Sequence, residues 1–195
     1  MICVAITGGI GSGKSYVSAM LEERGIPVYN ADNESKRLTA TDPGIRSRLI
    51  ALLGEEIYSD GMLNKPMLAS YLFASPENAA RINSIIHPCV KEDFKRWLAE
   101  HEEAEITALE SAILYEAGFE DTVDAVLVVY APRELRLQRA MQRDKASRQQ
   151  IEARMNAQMS EEEKLFKTDY VVYNDGTLPL DGQLTSVINQ LKRGK

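Results

Sequence analysis

The chain has 195 residues, 44% hydrophobic and 27% charged, with a formal net charge of −6. That size accommodates one domain with a small insertion and a core that needs no disulfide or metal staple. The acidic balance speaks against a general nucleic-acid binder, two cysteines and two histidines make no zinc pattern, and no apolar run reaches the span of about 18 residues that a membrane helix needs.

Residues 2–7 are a short apolar run rich in β-branched side chains, which reads as a buried strand. The run lacks the basic flank of a secretory signal and leads straight into glycines, so a cytoplasmic location is expected. Cys3 is expected to be a buried thiol, with no disulfide to Cys89. After the glycines a helical pattern starts at Lys14 and stops at Arg24-Gly25, and residues 26–29 read as a second strand. Strand, glycine loop, helix, strand is the opening of a parallel α/β sheet.

Residues 30–101 are patterned almost throughout as helix. Asp42-Pro43 and Ser75-Pro76 each join a capping residue to a proline at the first helical position. Asp60-Gly61 reads as a turn between helices. His87-Pro88 predicts a kink or break in the apolar stripe Ile82, Ile85, Ile86, Val90, Phe94, Trp97 and Leu98. Strands are expected again at 106–109 and 123–130, the second nearly all apolar. Pro132 then opens a helix through Arg143, followed by two capping boxes, Ser147 to Gln150 and Ser160 to Glu163. Residues 170–173 predict a last strand, Asn174-Asp175-Gly176 a turn, and 180–191 a final amphipathic helix.

Gly8-Gly9-Ile10-Gly11-Ser12-Gly13-Lys14-Ser15 matches the phosphate-loop pattern G-x-x-x-x-G-K-[ST] in full. Glycines at 8, 9, 11 and 13 let the backbone curl into a nest of N–H groups, and the following helix adds the positive end of its dipole. Lys14 is expected to reach the β- and γ-phosphates of a nucleotide, and the Ser15 hydroxyl to ligate Mg²⁺. The loop alone is shared by switches, ATPases and small kinases. The length argues against a motor, and no guanine-reading N-K-x-D element is present.

A small-molecule kinase needs a carboxylate near the second strand and an arginine-bearing lid. Asp32 follows that strand, at the carboxyl end where parallel sheets bind ligands, and would accept or orient the acceptor hydroxyl's proton and hold Mg²⁺ through water. The competing reading makes it the cap of a helix beginning near Asn33. Lys36 lies four residues on, either pairing along the helix or meeting a substrate phosphate. Arginines at 133, 136, 139, 143, 148 and 154 supply the lid candidate, with 136, 139 and 143 on one helical face. Pairing with Glu134 and Asp144 on a solvated surface is the plainer alternative.

The run ITGGIGSGKS, Asn30-Ala31-Asp32, Ile86-His87-Pro88, the R-x-x-x-R-D at 139–144, and Asp169-Tyr170 through Asn174-Asp175-Gly176 together resemble the dephospho-coenzyme A kinases. The resemblance covers the chain from Ile2 to about Gly176. It implies transfer of the ATP γ-phosphate to the ribose 3′-hydroxyl of dephospho-coenzyme A, the last step of coenzyme A synthesis. It also implies an α/β P-loop kinase fold: a five-stranded parallel sheet flanked by helices (core 1–30, 104–140 and 168–195), a helical coenzyme-binding cap (31–103) and a lid (141–167).

By position, the resemblance gives Gly9 and Gly11 to Tyr16 to the ATP phosphates, with Ser12 and Gly13 among them, and makes Asp32 and Lys14 catalytic. Arg139 meets the nucleotide, Arg143 closes on it, Asn174 and Gly176 border the adenine, and His87, Pro88, Lys36 and Leu114 face the coenzyme. ATP and Mg²⁺ are the implied co-substrate and ion, with no nucleic-acid or membrane partner. Three departures stand out: Tyr16 where threonine is usual, Asn30 where aspartate is usual, and Ser111-Ala112 where the family's P-L-L-[FY]-E segment has a proline, although Leu114 and Glu116 match. Glu110 is expected to support the magnesium site from behind its direct ligands. The rival readings are a kinase of another small acceptor, such as a nucleoside monophosphate or shikimate, and a nucleotide-binding regulatory module with little turnover.

Overall fold

A computed structural model describes residues 1–194. In chain order the elements are β1 Ile2–Thr7, α1 Lys14–Glu22, β2 Val28–Asn30, α2 Ala31–Thr41, α3 Pro43–Leu53, a 3-10 turn Glu55–Ile57, β3 Tyr58–Ser59, β4 Met62–Leu63, α4 Lys65–Ala74 and α5 Pro76–Glu100. Then come β5 Ile106–Glu110, β6 Ala125–Tyr130, α6 Arg133–Asp144, α7 Arg148–Asn156, α8 Glu161–Phe166, β7 Tyr170–Tyr173 and α9 Leu180–Arg193. The chain divides into two compact units: Met1–Asn30 with the chain from His101 onward, and Ala31–Glu100.

The first unit holds a five-stranded sheet in the order β2-β5-β1-β6-β7. Every pairing in it is parallel. β1 lies in the middle and is buried along its whole length, which is why it and β6 read as continuous apolar runs rather than alternating ones. Val17 and Leu21 of α1 and Leu184, Val187 and Leu191 of α9 join Val4, Ile6, Leu127, Val129 and Val172 in one apolar core. Cys3 is buried and free, and burial lifts its thiol to about 11.

The strand edges differ from the sequence reading in ways that matter for the site. β5 runs one residue further than expected, to Glu110, which pairs in register with Ile6 of β1 and Asn30 of β2. β2 starts at Val28 because Pro27 has no N–H to give a ladder; its carbonyl instead accepts from Ala108 N at 2.8 Å. β6 starts at Ala125, since Asp124 is occupied with Cys3: its carboxylate accepts from Cys3 N at 2.7 Å.

The second unit is helical apart from one small hairpin. Asp60-Gly61 does not join helices; both residues take positive φ, 51° and 78°, and close the antiparallel pair β3–β4. The cap at Asp42 forms as expected, its carboxylate accepting from Ile45 N at 2.8 Å. Ser75 accepts from Asn78 N at 3.2 Å at the start of α5. Pro88 neither breaks nor ends α5, which runs unbroken from Pro76 to Glu100. Ile82, Ile86, Val90 and Phe94, four residues apart, are buried on one side of it. Pro88 and Ser84 lie on the exposed side, so the carbonyl that Pro88 leaves without a helical partner faces water. Phe94 is fully buried, and truncating such a ring typically costs about 3–5 kcal/mol, enough to hold the helix across its defect.

Candidate active site

The phosphate loop leaves the carboxyl end of β1 and ends in α1. Gly8, Gly11 and Gly13 have φ of 145°, 80° and 98°, where a side chain is strained. Space also demands glycine. A Cβ on Gly13 would lie 2.1 Å from Asn174 Nδ2, and one on Gly9 would lie 2.1 Å from Arg136 Nη1. The loop is therefore seated closely against α6 and the residue after β7.

Asn174 and Arg139, singled out for the nucleotide from far along the chain, meet at this loop. Asn174 Nδ2 donates to the Ser12 carbonyl at 2.8 Å, and Arg139 Nη1 donates to the Asn174 carbonyl at 2.9 Å. Gly176 and Tyr16 line one open groove with Met20, Leu178 and Pro179. Tyr16 is 62% exposed, so its ring is presented to whatever enters that groove.

Lys14 is the first residue of α1 and is buried. Its Nζ donates to the Gly8 carbonyl at 2.8 Å and the Gly9 carbonyl at 3.4 Å, so the ammonium lies folded across the mouth of the loop. A phosphate arriving there would exchange neutral carbonyl contacts for charged ones, which are roughly twice as strong.

Behind the loop, Ser15, Glu110 and Asn30 form one hydrogen-bonded set. Ser15 Oγ donates to Glu110 Oε1 at 2.7 Å, and Asn30 Nδ2 donates to Glu110 Oε2 at 2.9 Å. Glu110 is buried, and both its oxygens are held. The parallel register puts Asn30 and Glu110 side by side at the strand ends. A hydroxyl beside a fixed carboxylate is a hard-oxygen donor set, and it fits Mg²⁺. Asparagine suits position 30, since an amide can donate to Glu110 where an aspartate would repel it.

The arginine face is divided by the structure. Arg136 is buried, with Nε donating to the Ala131 carbonyl at 3.0 Å and Nη1 lying 3.8 Å from Glu161 Oε1. Burial pulls its pKa down. Arg139 turns to Asn174, while Arg143 turns outward to Asp144 at 2.7 Å. Arg154 also donates to Asp144, at 2.6 Å, and the two guanidiniums draw that carboxyl down to about 2. Arg148 grips Glu134 at 2.9 and 3.0 Å. Glu134 and Asp144 thus neutralise much of the exposed basic face.

Leu114 is fully buried, and its carbonyl accepts from Phe119 N at 2.9 Å, so its side chain has no surface to offer a ligand in this conformation. In the helical unit, α2 begins at Ala31, so Asp32 stands within the first helical turn rather than before it as a cap. Lys36 is exposed one turn on. His87 is half-buried; burial and the neighbouring Lys91 hold its pKa below the usual histidine value. Pro88 is exposed. Sequence reasoning gave no place to Gln158, whose Oε1 accepts from Ile10 N at 3.1 Å across 148 residues; no local pattern announces a contact of that range.

The family model described as dephospho-CoA kinase matches residues 2–179. This chain belongs to the dephospho-CoA kinase family. A dephospho-CoA kinase of Bacteroides fragilis is 54% identical over 187 residues, 96% of this chain and 91% of the relative. A crystal structure from Thermus thermophilus superposes with a TM-score of 0.85 at 35% identity, covering 97% of each chain. The dephospho-CoA kinase of Campylobacter jejuni, at 24% identity, shares the fold with a TM-score of 0.69 over 98% of each chain. The five-stranded parallel sheet flanked by helices is the P-loop kinase fold, and ATP is the phosphate donor that this kinase family implies.

Proposed function

We infer that the chain transfers the γ-phosphoryl group of ATP to the ribose 3′-hydroxyl of dephospho-coenzyme A, yielding coenzyme A and ADP. The observation that carries this reading is the family match over residues 2–179, which takes in the phosphate loop and the Asn174-Asp175-Gly176 turn together. In this reading Gly9 and the run Gly11 to Tyr16 bind the phosphates through backbone amides, with Lys14 leaving the Gly8 and Gly9 carbonyls to meet the β- and γ-oxygens. Arg139, fixed on Asn174, and Gly176 border the nucleotide. Arg143 meets the phosphates once released from Asp144.

Ser15 would hold Mg²⁺ directly, with Glu110 orienting its hydroxyl, and Asp32 would contribute through water. Bound there, the ion supplies charge neutralisation on the phosphate oxygens. Asp32 takes or orients the proton of the 3′-hydroxyl; support comes from its position two residues beyond the carboxyl end of β2. The helical unit 31–100 would take the coenzyme, with Lys36 offering charge to a phosphate. His87, whose pKa burial and Lys91 lower, would offer a hydrogen bond, with Pro88 beside it. Residues 141–167 would act as the lid. A cytoplasmic setting without a nucleic-acid partner belongs to the same reading; among the described residues no helix is long and apolar enough to cross a membrane.

The test is product formation. Incubation with ATP, Mg²⁺ and dephospho-coenzyme A should give ADP and coenzyme A in equal amounts, the latter detected with a coenzyme A-requiring enzyme. ADP without coenzyme A would leave only a nucleotide hydrolase.

A further inference from the structure

We propose that Gln158 is a positioning residue for the phosphate loop and that, with Ile10, it couples nucleotide binding to the order of α7; the inference rests on reading that loop as the ATP site. Ile10 is the one large residue among the glycines at the start of the loop. Its N–H is turned onto Gln158 Oε1 at 3.1 Å, while Gln158 Nε2 donates to the Ala112 carbonyl at 3.3 Å. One side chain therefore joins the loop after β1 to the loop after β5, accepting from the first and donating to the second. A side-chain amide does both at once from two separate atoms, the oxygen accepting and the nitrogen donating.

Two further features make this a fastening rather than a passing contact. The Ile10 side chain packs on the buried cluster Leu137, Ala140, Ile151 and Met155 of α6 and α7. Gln158 itself is set by the end of α7, where its own N–H donates to the Met155 carbonyl at 3.3 Å. Beyond Gln158, the fully buried Lys164 donates to the same Ala112 carbonyl at 3.4 Å, and Glu161 lies against Gly9. Both side chain and amide of Ile10 are thus committed outward, to α7 and its exit. The loop reaches its nest shape before any phosphate arrives, which removes part of the ordering cost of binding. Coupling of this kind is reciprocal: what orders α7 favours nucleotide, and nucleotide orders α7.

The test uses the full chain, with mant-ADP titration, the thermal midpoint without ligand, and hydrogen exchange over residues 148–156 with and without ADP. Wild type should show protection of α7 on adding ADP. Q158A should bind ADP about tenfold more weakly, the equivalent of one hydrogen bond, with smaller protection of α7 and a KM for the acceptor within about twofold of wild type. Q158E keeps the acceptor for Ile10 N–H but loses the donor to Ala112, and should fall between; it carries the comparison if Q158A does not fold. Unchanged ADP affinity in both variants, or a lowered midpoint as their sole effect, would overturn the proposal, as would wild-type α7 indifferent to ADP. Wild type that binds no ADP at all would instead overturn the nucleotide-site reading on which it rests.

Discussion

Glu110 is the residue on which the proposed magnesium site turns. It is buried, and its two carboxylate oxygens accept from the Ser15 hydroxyl and the Asn30 amide. Glu110→Gln preserves size and leaves Ser15 an acceptor but removes the charge. The Mg²⁺ concentration for half-maximal activity should rise by about tenfold or more, as for residues that orient metal ligands, with metal-free ADP binding unchanged; an unchanged magnesium requirement would remove Glu110 from the site. Asp144 makes a second residue-level case. Its folded pKa, drawn from 3.8 to about 2 by Arg143 and Arg154, is depressed, so the stability it contributes is present above its ordinary pKa and is lost as pH falls through about 4 towards 2. Urea unfolding should show Asp144→Asn weaker than wild type by about 1 kcal/mol at neutral pH, the gap closing towards pH 2; a gap independent of pH would mean the loss is not electrostatic.

At the scale of elements, the sequence was most readable where a residue acts on its own neighbours. The capping boxes at Ser147 and Ser160 form as their spacing predicts, and β7 occupies the expected residues 170–173. The phosphate loop was legible because its glycines answer a local demand on backbone angle. The readings that failed depended on which face meets water. Pro88 predicts a break only if its lost hydrogen bond falls in the interior; on the exposed face of α5 the helix continues. Pro88→Ala should therefore stabilise the protein, by up to about 3 kcal/mol, read as a raised Tm, since alanine restores the missing donor without burying anything. A lowered Tm would show that the proline ring itself packs. Asp60-Gly61 announced a turn correctly, but what it joins depends on the pairing of β3 with β4.

For the whole molecule, the residues that gather at the phosphate loop could be named singly from the sequence, but not their wiring. Lys14, Arg139 and Asn174 could each be named from motifs, yet that Asn174 bridges Arg139 to the loop is set by the parallel sheet, which delivers the ends of β1 and β7 to one edge. Arg136 looked like a lid cation from helical spacing; burial beside Gly9 makes it part of the loop's support. Glu110 gains its meaning from strand register, which one sequence does not disclose. The central claim is acceptor-specific phosphoryl transfer, and ADP release with ATP and Mg²⁺ tests it most directly, run with dephospho-coenzyme A, AMP, shikimate and no acceptor, for wild type and Asp32→Asn. Turnover with dephospho-coenzyme A alone, falling by about 10²–10⁴ in Asp32→Asn while ADP binding persists, is the predicted result; equal slow release in every tube, or an Asp32→Asn variant as fast as wild type, would contradict it.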